Sequence, residues 1–169
     1  MPAIVGIALG SNLGSSLDLL RTSRDMLLAI APQSSNHLQA PIYRSKPLNC
    51  PEGSPDFLNT VIEITYSGSA RELLKQTQAI EAHLGREARY IKNAPRTIDI
   101  DILYFGAECI DDEHLVIPHP EIIHRRFVLE PLAAIRPELI LPGDHHSVTE
   151  HLHQLDSAEQ PLILEQSDW

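Results

Sequence analysis

Cysteine is scarce. Cys50 and Cys109 are the only two in 169 residues, so no disulfide framework can form, and free thiols in a reducing compartment are expected. Basic charge is in the minority: Lys and Arg number 13 against 23 Asp and Glu, a formal charge of −10. That argues against general binding to nucleic acid or anionic membranes, both of which rest on a basic surface. No apolar run approaches the roughly 20 residues of a membrane span. Met1-Pro2-Ala3 carries no basic stretch ahead of its apolar segment, so no signal peptide is expected and the chain reads as cytoplasmic. Internal repeats and low-complexity tracts are also missing. What remains, 43% hydrophobic and 21% charged residues, is the composition of a globular domain. The length fits one domain over 1–169, with 156–169 as a peripheral tail.

The pattern along the chain alternates between two periodicities. Residues 3–9 form a short apolar run, read as a buried strand, and Gly10 to Gly14 read as the turn after it. A helix is expected from Ser15, carrying Leu17, Leu20, Leu27, Leu28 and Ala31 and stopped by Pro32. Residues 36–44 read as a strand with Pro41 at an edge or bulge. Residues 45–56, with Pro47, Pro51, Gly53 and Pro55, read as a loop. Residues 57–66 alternate cleanly, with Leu58, Ile62, Ile64 and Tyr66 on one face and Phe57, Asn59, Val61 and Glu63 on the other. Ser69 and Glu72 make a capping box for a second helix, whose stripe is Ala70, Leu73, Leu74, Ile80 and Leu84, with Gly85 at its end. A polar loop over 86–97 leads to a strand over 98–105. A hairpin around Asp111-Asp112 follows, then Pro118-His119-Pro120, then a helical region near 121–135 interrupted at Pro131. Residues 144–169 give no clear pattern. The order strand, helix, strand, strand, helix, strand predicts an α+β domain with a ferredoxin-like βαββαβ core, helices packed on the sheet.

Two acids in the 98–105 strand carry the chemistry. Alternation places Asp99 and Asp101 on one face, about 7 Å apart, and Ile98, Ile100 and Ile102 on the other. Carboxylates this close oppose each other's ionisation unless a cation joins them. Hard oxygen donors without a thiolate select Mg²⁺ or Ca²⁺ over zinc. A solvated strand face is the alternative for the pair alone. Arg86, Arg89, Lys92 and Arg96 crowd the preceding loop, with Glu87 as its only acid. Beside a metal-binding pair they read as a phosphate clamp. His119, Arg125 and Arg126 are further donors, although a histidine between two prolines also suits a structural turn. Gly10 to Gly14 lacks both the GxxxxGK[ST] and GxGxxG patterns, so it reads first as a tight turn. Phe57 and Asn59 share a face, and Phe127 could stack opposite; core packing explains the aromatics equally well. His145, His146, His151 and His153 suggest a transition-metal site less well than they suggest solvated side chains. Two rivals stay open on residues alone: a Mg²⁺-dependent nuclease or phosphohydrolase using Asp99, Asp101, His119 and His124, and a non-catalytic nucleotide-binding regulator.

The run Ala94-Pro95-Arg96-Thr97-Ile98-Asp99-Ile100-Asp101-Ile102-Leu103, preceded by Gly85-Arg86, resembles the signature of the 6-hydroxymethyl-7,8-dihydropterin pyrophosphokinases of folate biosynthesis. Ala8 to Gly14, Tyr43-Arg44-Ser45, Asp56 to Asn59, Ile80-Glu81, Pro118-His119-Pro120 and Arg125-Arg126-Phe127 match in the same order. The resemblance implies transfer of pyrophosphate from ATP, as co-substrate, to the hydroxymethyl oxygen of the dihydropterin, releasing AMP. It implies a catalytic set of Arg86, Arg96, Asp99 and Asp101, with two Mg²⁺ ions on the two aspartates. It places Gln78, Glu81, Arg86, Arg96, Ile102, His119 and Arg125 on the ATP side, and Ser45, Leu48, Phe57, Asn59 and Phe127 around the pterin. It further implies mobile lids at 45–56 and 86–97, small-molecule partners only, and a monomer or weak dimer. Three positions depart from well-known members: Ala88 stands in place of an arginine, Asn93 in place of a tryptophan, and Lys46 where some carry proline.

Overall fold

Strand β1 (Ala3–Ser11) is apolar at every second residue and lies inside the sheet, with β4 (Phe57–Tyr66) and β5 (Asp99–Phe105) antiparallel on its two sides. The computed structural model describes residues 2–12, 16–32, 36–46, 53, 55–85, 98–155 and 162–169. The remaining elements are α1 (Ser16–Ala29), β2 (Leu38–Gln39), β3 (Ile42–Ser45), α2 (Ala70–His83), β6 (Ile110–Asp111), β7 (Val116–Ile117), a 3₁₀ turn (Ile122–His124), α3 (Arg126–Ile135), α4 (Val148–Gln154) and β8 (Ile163–Gln166). The main sheet runs β5-β1-β4-β3-β8, with β2 also on β4. Because β1 and β3 both oppose β4, they run parallel to each other with β4 between them. β4 and β5 flank β1 in the same way. Helix α1 bridges one such pair and α2 the other.

Alternation assigns the two faces. On one, Val5, Ile7, Leu9, Ile62, Ile64, Ile100 and Ile102 pack with Leu20 and Leu27 of α1 and Leu73 and Ile80 of α2. On the other, Val61, Leu103 and Tyr104 pack with Val128, Leu129 and Leu132 of α3 and Val148 of α4. The capping box of α2 is present, with Ser69 and Glu72 satisfying each other's backbone N–H.

Several elements differ from expectation. Gly10 and Ser11 continue β1, since Gly10 pairs with Asn59 on one side and Asp99 on the other; ladder bonding on both edges overrides local turn preference. The strand expected over 36–44 splits at Ala40-Pro41. Pro41 cannot donate to a ladder. The Ala40 carbonyl there accepts from Thr60 Oγ1 at 3.0 Å and Trp169 Nε1 at 2.8 Å. Ser45 closes β3 rather than opening a loop. Pro131 does not interrupt α3. Its missing N–H costs the helix one bond, while Pro131 is buried and Val128, Leu129 and Leu132 pack against the sheet. The 144–169 stretch holds α4, opened by a Ser147–Glu150 capping box, and β8, which pairs with β3. The loop expected at 86–97 and most of 47–54 lie outside the described residues.

Leu27 of α1 is fully enclosed in the first of the two cores. Leu27→Ala is expected to lower unfolding free energy by about 2–5 kcal/mol in urea titration; a loss under about 1 kcal/mol would mean α1 does not pack as described.

Candidate active site

Strand register brings the site together. Tyr43 of β3 pairs with Asn59 of β4, Asn59 with Gly10 of β1, and Gly10 with Asp99 of β5. These four residues form one rung across the sheet. Asp101, Ala8 and Val61 form the next. Ser45 pairs with Phe57 beside the first rung. All point to the face covered by α3, because Val61 and Ala8 pack with α3 while Ile100 and Ile102 pack with α1 and α2.

The middle of the first rung is a glycine for a steric reason. A Cβ on Gly10 would sit 3.0 Å from Asn59 Oδ1, tighter than an unstrained contact. Without it, the buried Asn59 side chain keeps Oδ1 beside Gly10 of β1 and donates from Nδ2 to Ser45 Oγ of β3 at 2.9 Å. That bond fixes the amide's orientation, with Oδ1 turned toward the Gly10 side. Phe127 of α3 is half-buried against the Val61–Leu103 core, so an aromatic stands on the same face as Asn59. Burial, and then the Glu130 carboxylate, push the Tyr43 hydroxyl above its ordinary pKa, so it stays a neutral donor. Glu130 itself lies 3.6 Å from Arg126 Nη1.

On the acidic side, Asp99 is half-buried and Asp101 is exposed. Their spacing of two residues sets them about 7 Å apart along β5. They supply only hard carboxylate oxygens, which suits an oxygen-seeking divalent cation that keeps waters or phosphate oxygens as its other ligands. Among the described strands β5 is the sheet's edge, and its outward N–H at Ile100, between the two aspartates, is taken by Glu81 Oε2 at 3.0 Å. Glu81 was expected on the nucleotide side. Its carboxylate is buried, 5% exposed, and at least one of its oxygens seats the carboxylate strand against α2. Gln78, one turn earlier, is exposed. Ile102 is buried on the opposite face, which leaves its backbone alone to meet a ligand.

His119 follows β7 and is tied to β5 by its N–H, which donates to Leu103 O at 2.8 Å. Its Nδ1 accepts the Glu121 N–H at 3.2 Å. The neutral ring therefore carries its proton on Nε2, where it can donate. Arg125 is exposed at the start of α3, 3.5 Å from Glu121. Arg86, Arg96 and Leu48 lie outside the described residues. The histidines near the C-terminal end are engaged with carboxylates: His151 Nε2 with Asp144 Oδ2 at 2.6 Å, and His146 Nδ1 with Glu150 Oε2 at 3.1 Å. Among the described residues no group of three or more His, Cys, Asp or Glu is arranged to hold a metal, so the aspartates would need ligands from outside that set. Sequence reasoning missed Gly10 and Tyr43 as members of the rung. A glycine inside an apolar strand was the available signal, since it marks close approach of a neighbour.

Glu81→Ala leaves the Ile100 N–H without its carboxylate acceptor. It is expected to cost about 1–3 kcal/mol of stability in urea unfolding; an unchanged midpoint would show that β5 does not depend on this bond.

Comparisons with known proteins place the chain in a family. Residues 6–137 match the model of the family described as 7,8-dihydro-6-hydroxymethylpterin-pyrophosphokinase. The chain is 41% identical over 139 residues to the 2-amino-4-hydroxy-6-hydroxymethyldihydropteridine pyrophosphokinase of Haemophilus influenzae, covering 81% of this chain and 84% of that one. It is 42% identical over 135 residues to the protein of the same name from Bacillus subtilis, covering 80% and 79%. The solved structure of the Plasmodium falciparum HPPK-DHPS wild type with pteroate shares the fold, at a TM-score of 0.67 and 15% identity, over 91% of this chain and 42% of that chain. The chain is a pyrophosphokinase of folate biosynthesis and belongs to the 7,8-dihydro-6-hydroxymethylpterin-pyrophosphokinase family.

Proposed function

We propose that the donor is ATP, that the reaction depends on Mg²⁺, and that the pyrophosphoryl group passes to the hydroxymethyl oxygen of 6-hydroxymethyl-7,8-dihydropterin with release of AMP. The observation that carries this reading is the rung itself. One end offers paired carboxylates on β5; the other offers an oriented, uncharged amide at Asn59, bonded to Ser45, with Phe127 on the same face. A triphosphate needs the first kind of surface, with cations, and a flat polar heterocycle needs the second. Both lie on the same face of the sheet, as a two-substrate transfer requires. The sheet order and its two bridging helices also suit the ferredoxin-like βαββαβ description.

Phosphoryl-type transfer calls for positioning and charge neutralisation more than for covalent participation by the protein. When bound at Asp99 and Asp101, Mg²⁺ would neutralise phosphate oxygens and acidify the attacking hydroxyl. Asn59 would read the edge of the pterin ring, held by Ser45, and Phe57 and Phe127 would flank its plane. His119 would donate from Nε2 to a phosphate oxygen, with Arg125 beside it. Arg86 and Arg96 would complete the neutralisation of the polyphosphate and of the departing AMP.

Mixing the protein with ATP, Mg²⁺ and the hydroxymethyl dihydropterin is expected to yield AMP and the pterin diphosphate in equal amounts. Asp99→Ala and Asp101→Ala are each expected to remain folded and lose about 10²–10³-fold or more in kcat. AMP formation at wild-type rate by either variant would contradict the assignment, and inorganic phosphate released without pterin would favour a hydrolase.

A further inference from the structure

Three side chains on the carboxylate face have no part in the chemistry just described. Tyr104 of β5 pairs with Gly6 of β1, and Gly6 with Glu63 of β4. This rung lies four residues along β1 from Gly10, about 14 Å from the Asp99 end. The Tyr104 ring lies across Gly6 so closely that an added Cβ would overlap it. Its hydroxyl reaches over β1 and donates to Glu63 Oε2 at 2.6 Å, a buried bond. Arg136, which follows α3, brings Nε to 3.2 Å from the same oxygen.

The neighbouring backbone is irregular. Gly6 pairs with Tyr104 but Ile7 pairs with Ile102, so Leu103 is an extra residue in β5. The result is that Leu103 and Tyr104 both face α3, while alternation resumes at Ile102. Such a bulge decides which face each residue beyond it takes. Among the described residues, β5 is bonded to a strand on one side only. A shift by one residue would turn Asp99 and Asp101 into the α1–α2 core and expose Ile100 and Ile102. Hydrophobic burial opposes that shift, and so does Glu63. Its charge is buried, and the Tyr104 hydroxyl reaches it only with Tyr104 above Gly6. Buried polar groups of this kind select one arrangement among near alternatives.

We propose that Gly6, Tyr104 and Glu63 form a register lock for β5, with Tyr104 as a positioning residue that keeps Asp99 and Asp101 on the ligand face. Burial, together with the bond to Glu63, raises the Tyr104 hydroxyl above its ordinary pKa, so it remains a donor across the pH range of normal assays. The lock rests on the proposed function only in what it positions, and its own test does not need turnover.

Two measurements decide it. The first is amide hydrogen exchange over 98–103 in the ligand-free protein. The second is Mn²⁺ affinity by electron paramagnetic resonance in the presence of a non-hydrolysable ATP analogue. Tyr104→Phe is expected to speed exchange over 98–103 by about tenfold with β3 unchanged. It should also weaken Mn²⁺ by about tenfold, the lower end for groups that orient metal ligands. Glu63→Gln keeps an acceptor for the hydroxyl and is expected within about twofold of wild type on both counts. Glu63→Leu removes that acceptor, is expected to follow Tyr104→Phe, and stands in for it if that chain does not fold. Unchanged exchange and unchanged Mn²⁺ affinity in Tyr104→Phe, even with a lowered Tm, would overturn the proposal. Absence of Mn²⁺ binding in the wild type would count against the metal reading alone, and the exchange comparison would still decide the lock.

Discussion

Antiparallel pairing of β1 with β4 on one side and β5 on the other is the constraint from which the rest of this molecule follows. Side chains alternate along each strand, so the register that puts Gly10 between Asn59 and Asp99 settles every other position on both faces. Nine residues of β1 take part in the pairing with β4, and the isoleucines on either side of each aspartate are buried between α1 and α2. Core and site are therefore two sides of the same register. The hydrophobic side supplies the free energy, and the polar side inherits its geometry.

That geometry separates two kinds of polarity across a single glycine. To one side of Gly10 stand carboxylates on a chain already at −10. To the other stands a neutral amide whose orientation is set by a hydroxyl. The acidic pair offers hard oxygens suited to a divalent cation. On the proposed reading a cation and the arginines of 86–97 offset the charge of a polyphosphate, and the neutral side holds the acceptor ring in place. Glu81, from α2, holds the carboxylate strand at its outer edge. Tyr104 and Glu63 hold it from the α3 face. An edge strand that must carry a charge pair is thus pinned from two directions.

Much of this was legible in the sequence where the signal is local. The alternation of 57–66 correctly divided Phe57, Asn59, Val61 and Glu63 from Leu58, Ile62, Ile64 and Tyr66. The Ser69–Glu72 pair marked the start of α2, and the Asp-Ile-Asp run marked a strand with both acids on one side. What was not legible depends on partners distant in the chain. Gly10 looked like a turn because turn chemistry is local, whereas its place in the ladder is set by strands some 50 and 90 residues away. Pro41 was expected to mark an edge or bulge, but that it splits the strand shows only with the Thr60 and Trp169 side chains in place. β8 carries too few residues to announce itself and exists because β3 offers it an edge. That Glu81 also accepts the Ile100 N–H was not legible, because nothing local shows that its side chain is buried against β5. The α4 capping box at Ser147 and Glu150 was a local signal that went unread.

The central claim is that Asp99 and Asp101 grip a divalent cation against a triphosphate from the face they share with Asn59. Its most direct test is the anomalous scattering of Mn²⁺ in crystals grown with a non-hydrolysable ATP analogue. The account predicts a peak with oxygens of both carboxylates in its first coordination sphere, at about 2.0–2.2 Å, and phosphate oxygens as further ligands. A peak elsewhere, or a bound nucleotide whose phosphates lie away from β5, would contradict it.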